Sequence, residues 1–209
     1  FGLFMTVITG SELFTGNAAL VPLAYLEGKA TVPQVVKSLV VSWVGNLVGS
    51  LFLVWLVHTG GTLAGGCENT ENGHLCTAIK IADAKVYKPF DVVFAKAIMC
   101  NWLVCMAVYM ASFARDATGK FVAIWLPISA FVALGLEHTV ANMFLIPVGM
   151  VHGAPDADLF GLLVTNLLPV TFGNIAGALI GVTFPFYVAF GGQPKCLAAK
   201  QVPSRKAMV

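Results

Sequence analysis

Charged side chains are scarce in this sequence. Only 11% of the 209 residues are Asp, Glu, Lys or Arg, whereas a soluble domain carries roughly 25%. With 58% hydrophobic residues and a mean hydropathy of +0.85, the chain has too little polar surface to stay dissolved in water. The sequence therefore predicts an all-α membrane protein whose main solvent is the lipid bilayer.

The weak positive charge and the scattered cysteines exclude further classes of protein. A net charge of +2 is too small to predict binding to nucleic acid. The five cysteines are not grouped as metal ligands, so we expect neither a metal ion nor another cofactor. Cys67 and Cys76 share a polar loop and could form a disulfide only in an oxidising compartment. Glu137-His138 lacks the second histidine of a His-Glu-x-x-His motif, so the sequence does not predict an enzyme.

Three apolar stretches are long enough to cross a bilayer, which takes about 20 mostly apolar residues. They cover residues 38–57, 92–114 and 159–194. The last stretch is longer than a bilayer requires at about 1.5 Å per residue. We therefore expect an interfacial segment there, followed by one span.

Two other apolar stretches are interrupted by polar residues. They cover residues 1–26 and 121–151, and the sequence predicts breaks near 11–16 and 136–141. Glu12 interrupts the first stretch, and Glu137 and His138 interrupt the second. A charge at bilayer depth costs at least about 2.5 kcal/mol, so such residues face a protein interior or an aqueous path. Both stretches are predicted to be broken helices.

The two interrupted stretches repeat one another. Four residues of the first stretch recur 125 residues later: Glu12, Asn17, Pro22 and Gly28 correspond to Glu137, Asn142, Pro147 and Gly153. The pair Gly45-Asn46 recurs 128 residues later as Gly173-Asn174. Because the chain crosses the bilayer three times from one copy to the next, the copies run in opposite directions, as in many transport proteins. We expect a channel domain over 1–194, with an incomplete repeat at 1–58 and a second repeat at 90–194.

The ends of the chain carry two further expectations. The second repeat is preceded by a full span and the first is not, because the sequence opens inside an apolar stretch at Phe1. We therefore expect a missing first helix, and six transmembrane helices in the intact protein. Basic residues in the loop 27–37, in 115–120 and in the tail 195–209 place these segments on the cytoplasmic side.

These motifs resemble the formate/nitrite transporter family. The similar stretches are Glu12–Asn17, Gly45-Asn46, Asn101–Cys105, Gly135–Asn142 and Pro169–Asn174, in the family's order. The resemblance implies an aquaporin-like fold and a homopentamer in the cell membrane (plasma or inner). Each subunit would conduct small monovalent anions and their weak acids, such as formate or nitrite. Asn101–Cys105 and Leu136–His138 are also similar to algal plastid members, so a bicarbonate channel of the plastid envelope is the alternative.

The resemblance also implies roles for individual residues. The substrate pathway would include Thr15, Lys85, Asn101 and His138, and the apolar constriction would consist of Leu3, Leu13, Phe14 and Phe131. Lys85, in a polar loop, would concentrate anions at the pore mouth. Burial disfavours a charged imidazole, so His138 should be neutral, donating a hydrogen bond to a passing anion or offering it a proton.

Polar residues at the breaks have a second expected role. Helix interruption frees backbone N–H groups, which need acceptors inside a membrane. We expect the loops to be braced by Glu12, Asn17, Asn46, Glu137, Asn142 and Asn174. Near His138 and Thr15 the substrate either is hydrogen-bonded as an anion or takes a proton and passes as the neutral weak acid. Because desolvation penalises a bare anion, we expect transport to be linked to protons.

Overall fold

The computed structural model describes residues 1–63 and 73–191, and the regular elements in these ranges are helical. They are α1 (Gly2–Thr9), α2 (Phe14–Leu26), α3 (Val32–Thr59), α4 (His74–Lys85), α5 (Phe90–Phe113), α6 (Ala117–Ala133), α7 (Thr139–Val151) and α8 (Gly161–Phe190). Cys67, half of the disulfide considered above, and the basic tail 195–209 lie outside the described residues.

The three predicted spans correspond to α3, α5 and α8, which are long and apolar enough to cross a membrane. Helix α8 differs from the expected segment and span, because it is helical throughout its 30 residues. It contains two π-helical stretches, Gly161–Leu167 and Leu179–Thr183. Pro169 and Pro185 follow these stretches closely. A proline ring clashes with the carbonyl one turn earlier, and a locally widened turn relieves that clash.

Both interrupted stretches are broken, at residues 10–13 and 134–138. Gly10 and Gly135 have φ of 69° and 60°, a left-handed conformation that glycine adopts without steric cost and that ends a helix. The second helix of each stretch begins earlier than predicted, at Phe14 and Thr139. Thr15, predicted to lie in the break, is therefore in the first turn of α2.

Helix α4 was not predicted, because its charged residues are typical of a loop. Its small buried face includes Ala82, which is fully buried. A Cβ on Gly149 of α7 would lie 2.2 Å from the Ala82 Cβ, so this glycine permits the close contact between α4 and α7. Lys85 is the last residue of α4 rather than part of a loop.

Helices α5 and α8 touch through their backbones. A Cβ on Gly177 would lie 2.2 Å from the carbonyl oxygen of Ile98, and one on Gly173 would lie 2.9 Å from that of Phe94. The pair Gly173 and Gly177 has the small-xxx-small spacing that lets helices approach closely. This packing fixes α5 beside α8 and so positions the polar residues that both helices contribute to the centre of the molecule.

Candidate functional site

Two cavities meet at the break between α1 and α2. The first, which we call the histidine cavity, has a volume of about 350 Å³ and includes His138, Phe131 and Val104 in its lining. The second, which we call the polar cavity, has a volume of about 510 Å³ and is lined in part by Ser11, Glu12, Asn17, Ser112 and Lys120. The break between α1 and α2 thus lies between a mainly apolar cavity and one with a larger share of polar lining.

A mainly apolar collar separates the two cavities. Leu3, Thr6 and Leu13 line both of them, so these side chains lie at the junction. Phe131 also lines the histidine cavity, with its ring centroid 5.8 Å from that of His138 and the two planes 23° apart. The structure therefore brings together Leu3, Leu13 and Phe131 of the four predicted constriction residues.

Phe14 lies elsewhere. Its side chain is 2% exposed and lines a separate apolar cavity of about 370 Å³, together with Trp43 of α3 and Leu167 of α8. Successive helical residues are rotated by about 100°, which explains why Leu13 and Phe14 do not share a cavity. Phe14 instead packs α2 against α3 and α8.

His138 is held at both ring nitrogens. The backbone N–H of Ala141 donates to Nδ1 at 3.0 Å, and Nε2 lies 3.1 Å from the hydroxyl oxygen of Thr15. Because Nδ1 accepts a hydrogen bond, it carries no proton, and the ring hydrogen must be on Nε2. His138 is therefore a neutral imidazole that donates from Nε2 to Thr15, so the structure brings these two predicted pathway residues into contact.

The first break is braced by Asn46 of α3. The N–H of Phe14 donates to Asn46 Oδ1 at 2.9 Å, and the Asn46 amide donates to the carbonyl oxygen of Glu12 at 3.1 Å. The amide of Asn17 donates in turn to the Glu12 carboxylate. A single asparagine thus satisfies one donor and one acceptor of the interrupted backbone.

The second break is braced in the same way by Asn174 of α8. The N–H of Thr139 donates to Asn174 Oδ1 at 2.9 Å, and the Asn174 amide donates to the carbonyl oxygens of Glu137 at 3.0 Å and Ala97 at 2.8 Å. Thr139 and Asn174 are fully buried. Each of these groups would be costly to leave unpaired, so the asparagine fixes the shape of the break beside His138.

The two glutamates differ from the expectation that carboxylates accept the freed backbone N–H groups. The bracing asparagines accept those bonds instead. The fully buried Glu137 accepts from Lys85 Nζ at 2.8 Å, Lys88 Nζ at 3.3 Å and Asn142 Nδ2 at 2.8 Å. An amide cannot compensate a buried negative charge as a lysine can, which explains why this carboxylate is held by side chains.

Lys85 is therefore an ion-pair partner rather than a free cation at a pore mouth. Its side chain is 13% exposed, and that of Lys88 is 29% exposed. With Glu137 these lysines form what we call the lysine–glutamate cluster, two positive charges and one negative charge, with a net charge of +1. Both lysines contact Glu137, the residue before His138, so the net positive charge raises the electrostatic potential near the histidine cavity.

Asn101 also braces the structure. Its side chain is fully buried, and its amide donates to the carbonyl oxygens of Thr15 at 3.1 Å and Asn174 at 2.7 Å. Within the described part of the chain its Oδ1 has no partner. Val104, one turn later on α5, lines the histidine cavity. Asn101 thus ties Thr15 and the second break together from outside the cavity lining.

A turn between α4 and α5 positions the two lysines, and sequence reasoning missed it. Tyr87 has φ of 54°, which is unusual for a residue other than glycine. Its N–H donates to Thr165 Oγ1 at 3.1 Å, and its hydroxyl donates to Asp158 Oδ1 at 2.8 Å. The left-handed residue between Lys85 and Lys88 turns the chain so that both lysines reach one carboxylate.

Asp158 holds this turn from the start of α8. The backbone N–H of Gly161 and the hydroxyl of Tyr87 both donate to its carboxylate and lower its pKa below the ordinary value. The same hydrogen bond to Asp158 raises the pKa of Tyr87. An aspartate three residues before a backbone donor is a helix-capping signal that the sequence contains. No comparable sequence signal predicts the left-handed backbone conformation of Tyr87.

Comparisons with known proteins add independent findings. A model described as formate/nitrite transporter matches residues 1–188. The chain is 42% identical over 198 residues to a probable formate transporter of Methanothermobacter thermautotrophicus, covering 90% of this chain and 72% of the relative. It is 39% identical over 186 residues to the nitrite transporter NirC of Salmonella typhimurium, covering 88% of this chain and 65% of the relative.

A solved structure is similar as well. The fold matches a pentameric formate channel with formate bound at a TM-score of 0.77 and 31% sequence identity. The match covers 90% of this chain and 79% of that chain. The similarity thus extends across almost all of the helices described above.

Proposed function

Because the chain belongs to the formate/nitrite transporter family, we propose that it conducts small monovalent anions and their weak acids, such as formate or nitrite. Family members are channels and transporters rather than enzymes. Its apolar helices suit an integral membrane protein. The observation that carries the proposal is the neutral His138, a hydrogen-bond donor, in a chamber that an apolar collar separates from a polar cavity.

The proposed pathway runs from the histidine cavity through the collar of Leu3, Thr6 and Leu13 into the polar cavity. An anion in the first chamber accepts a hydrogen bond from His138 Nε2 in place of the Thr15 hydroxyl. The ring can make this exchange without changing its charge, because Nδ1 keeps its bond to Ala141. The collar offers few polar partners, so the species that crosses it is the neutral weak acid.

The proton for that acid comes from solvent in this scheme rather than from His138. A neutral imidazole that gave up its Nε2 hydrogen would become an anion in a buried site. An imidazolium would need a hydrogen on Nδ1, where the N–H of Ala141 already donates. We therefore propose that hydronium in the bulk solvent supplies the proton, so that the fraction of weak acid increases as the pH falls, and that His138 only orients and partly desolvates the substrate.

The lysine–glutamate cluster supports attraction of anions. Its net charge of +1 is held close to the histidine cavity by Glu137, the neighbour of His138. A fixed positive charge raises the local concentration of anions, and salt weakens the effect. In this scheme Lys85 concentrates anions as a member of a cluster rather than as a single exposed lysine.

The architecture proposed for this function is an inverted repeat. Asn46 and Asn174, which recur in sequence, make matching bonds to the two breaks. Leu13 and His138 occupy corresponding positions with nearly identical backbone angles, φ −120° and ψ 120° for the first and φ −119° and ψ 119° for the second. These correspondences support repeats at 1–58 and 90–194. The six helices expected for the intact protein stay a prediction.

We further propose a homopentamer in the plasma or inner membrane of a cell, on the basis of the similarity to a pentameric formate channel. The alternative of a bicarbonate channel in a plastid envelope gains no support, because the relatives reported above are named for formate and nitrite. Formate and nitrite are therefore the substrates to test first.

Flux into proteoliposomes tests the role of His138. His138→Phe removes the hydrogen-bond donor and enlarges the apolar barrier, so we expect formate and nitrite flux to fall at least about tenfold, the effect of about 1.4 kcal/mol on a barrier. His138→Asn keeps a neutral donor, so measurable flux should remain and should still increase as the pH falls. His74→Asn, at the first residue of α4, is the matched control.

Two results would overturn the scheme. Wild-type flux in His138→Phe would show that the histidine cavity is not the pathway. Loss of the pH dependence in His138→Asn, with flux retained, would show that the histidine itself supplies the proton.

A further inference from the structure

Two histidine rings meet at the ends of α3 and α7, away from both cavities. His58 is the penultimate residue of α3, and His152 directly follows α7. Their ring centroids are 5.1 Å apart, and the ring planes make an angle of 71°. Two imidazoles at this separation either pack as simple aromatic neighbours or share a metal ion, and three observations fit the metal.

The first observation concerns the protonation of His152. Its Nδ1 lies 2.7 Å from the carbonyl oxygen of Val148. A carbonyl only accepts hydrogen bonds, so Nδ1 carries a hydrogen, and the lone pair of the neutral ring is on Nε2. Histidines that bind metals commonly donate their second nitrogen to a carbonyl in this way, which orients the ring and increases its basicity.

The second observation is the distance between the rings. With metal–nitrogen bonds of about 2.1 Å, an ion held by one nitrogen of each ring in tetrahedral geometry places the ring centroids about 5.3 Å apart. The observed separation is 5.1 Å. Rotation about the metal–nitrogen bonds leaves the angle between the rings free, so the angle of 71° is compatible with shared coordination.

The third observation is electrostatic. Helices α3 and α7 both end here, α7 being followed by Gly153 with φ of 90°. The C-terminus of a helix carries a partial negative charge of about half an electron. Two such ends therefore favour a cation between them, and neutral imidazoles are ligands that accept one without a further change of charge.

We propose that His58 and His152 form a binding site for a divalent transition-metal ion of the Zn²⁺, Ni²⁺ or Cu²⁺ class. No group of three or more His, Cys, Asp or Glu that could hold a metal ion occurs within residues 1–63 and 73–191, so the described residues supply two ligands to the ion. The ion links α7, which begins beside His138, to α3, which carries Asn46. One ion thereby connects the helix that braces the first break to the helix that begins at the second.

Titration of the purified oligomer with NiCl₂ in detergent, followed by calorimetry on protein without a polyhistidine tag, tests the site. We expect His58→Ala and His152→Ala each to weaken Ni²⁺ binding at least about tenfold, and the double variant to retain no binding at this site. His74→Ala, a histidine outside the pair, should bind as the wild type does. His58→Gln and His152→Gln, which keep the size and polarity of the side chain, serve if an alanine variant does not assemble.

A spectroscopic measurement identifies the ligands directly. One equivalent of Cu²⁺ should give an electron paramagnetic resonance spectrum with coupling to two imidazole nitrogens, reduced to one nitrogen in either single variant. Unchanged Ni²⁺ affinity in either single variant, equal weakening in His74→Ala, or a wild-type spectrum with fewer than two imidazole nitrogens would each overturn the proposal. The rings would then be no more than packed neighbours.

Discussion

The ion pair between Lys85 and Glu137 makes a sharp test of the structure. The carboxylate of Glu137 is fully buried, and Lys85 Nζ is 2.8 Å from it. Lys85→Met and Glu137→Gln each remove one charge and keep a side chain of similar length. Either change alone leaves a buried charge with fewer partners, whereas the double variant removes both charges of the pair.

The magnitude follows from the contacts. Breaking a buried ion pair by removing one partner costs about 3–5 kcal/mol. Lys85 is 13% exposed, and Lys88 and Asn142 continue to contact the carboxylate. We therefore expect about 2–3 kcal/mol of destabilisation from Lys85→Met, below the full value. The double variant should be more stable than the sum of the single effects predicts, by a coupling energy of about 1–3 kcal/mol.

Denaturant or thermal unfolding of the oligomer in detergent measures this coupling. Lys88→Met is the matched control, because its ammonium is 3.3 Å from the carboxylate and its side chain is 29% exposed. Its coupling with Glu137→Gln should be smaller and should weaken more with salt. Additive effects of Lys85→Met and Glu137→Gln, within about 0.5 kcal/mol, would refute the ion pair.

The same variants test attraction of anions. Lys85→Met lowers the net charge of the lysine–glutamate cluster from +1 to 0, Glu137→Gln raises it to +2, and the double variant restores +1. One charge about 10 Å from the path, at an effective dielectric constant of about 20–80, changes the energy of an anion by about 0.4–1.7 kcal/mol. Formate flux at low salt and low substrate should follow the net charge across the four proteins. If formate flux does not increase with the net charge of the cluster, the cluster does not attract the anion.

Two further predictions concern the supports of the site. Asn174→Ala should destabilise the oligomer more than Asn46→Ala in thermal unfolding. It leaves the N–H of the fully buried Thr139 unpaired, which costs about 1–3 kcal/mol, whereas Asn46 is only half-buried. Equal losses of stability in the two variants would contradict this prediction. Asp158→Asn should lower the thermal midpoint at neutral pH, and the difference should disappear in acid. The pKa of Asp158 is lowered in the fold, so its stabilising effect is present above the ordinary pKa and lost as the pH falls through the folded pKa. A difference that persists in acid would assign the effect to something other than the charge.

Much of the fold could be predicted because apolar length and interruption are local properties of a sequence. The spans α3, α5 and α8 follow from length, and both breaks follow from polar residues at bilayer depth. The exact limits of the breaks did not follow. Threonine is unfavourable in the interior of a helix, which is why Thr15 was placed in the break. It lies in the first turn of α2, where the backbone N–H groups make no hydrogen bonds within the helix. Helix α4 was missed because only a narrow face of small residues such as Ala82 packs against α7.

Less of the site could be predicted, because its contacts join distant parts of the chain. The internal repeat identified Asn46 and Asn174 as equivalent residues, and the structure gives them equivalent bonds. No periodicity connects Lys85 with Glu137, which are 52 residues apart. The pairing depends on the turn at Tyr87, which has a left-handed backbone conformation. A tyrosine in the sequence does not predict that conformation.

The backbone contact between α5 and α8 has a consequence for the rate at which the pathway can change shape. Where Gly177 meets Ile98 there is no layer of side chains that could repack during a relative tilt of the two helices. We therefore expect α5 and α8 to move as one body, and any gating to occur at the breaks, where Leu13 and His138 lie. Motions of short loops take nanoseconds to microseconds, whereas displacements of whole helices take microseconds to milliseconds. Fluctuations between open and closed collars should accordingly be too brief to appear as resolved steps in single-channel records.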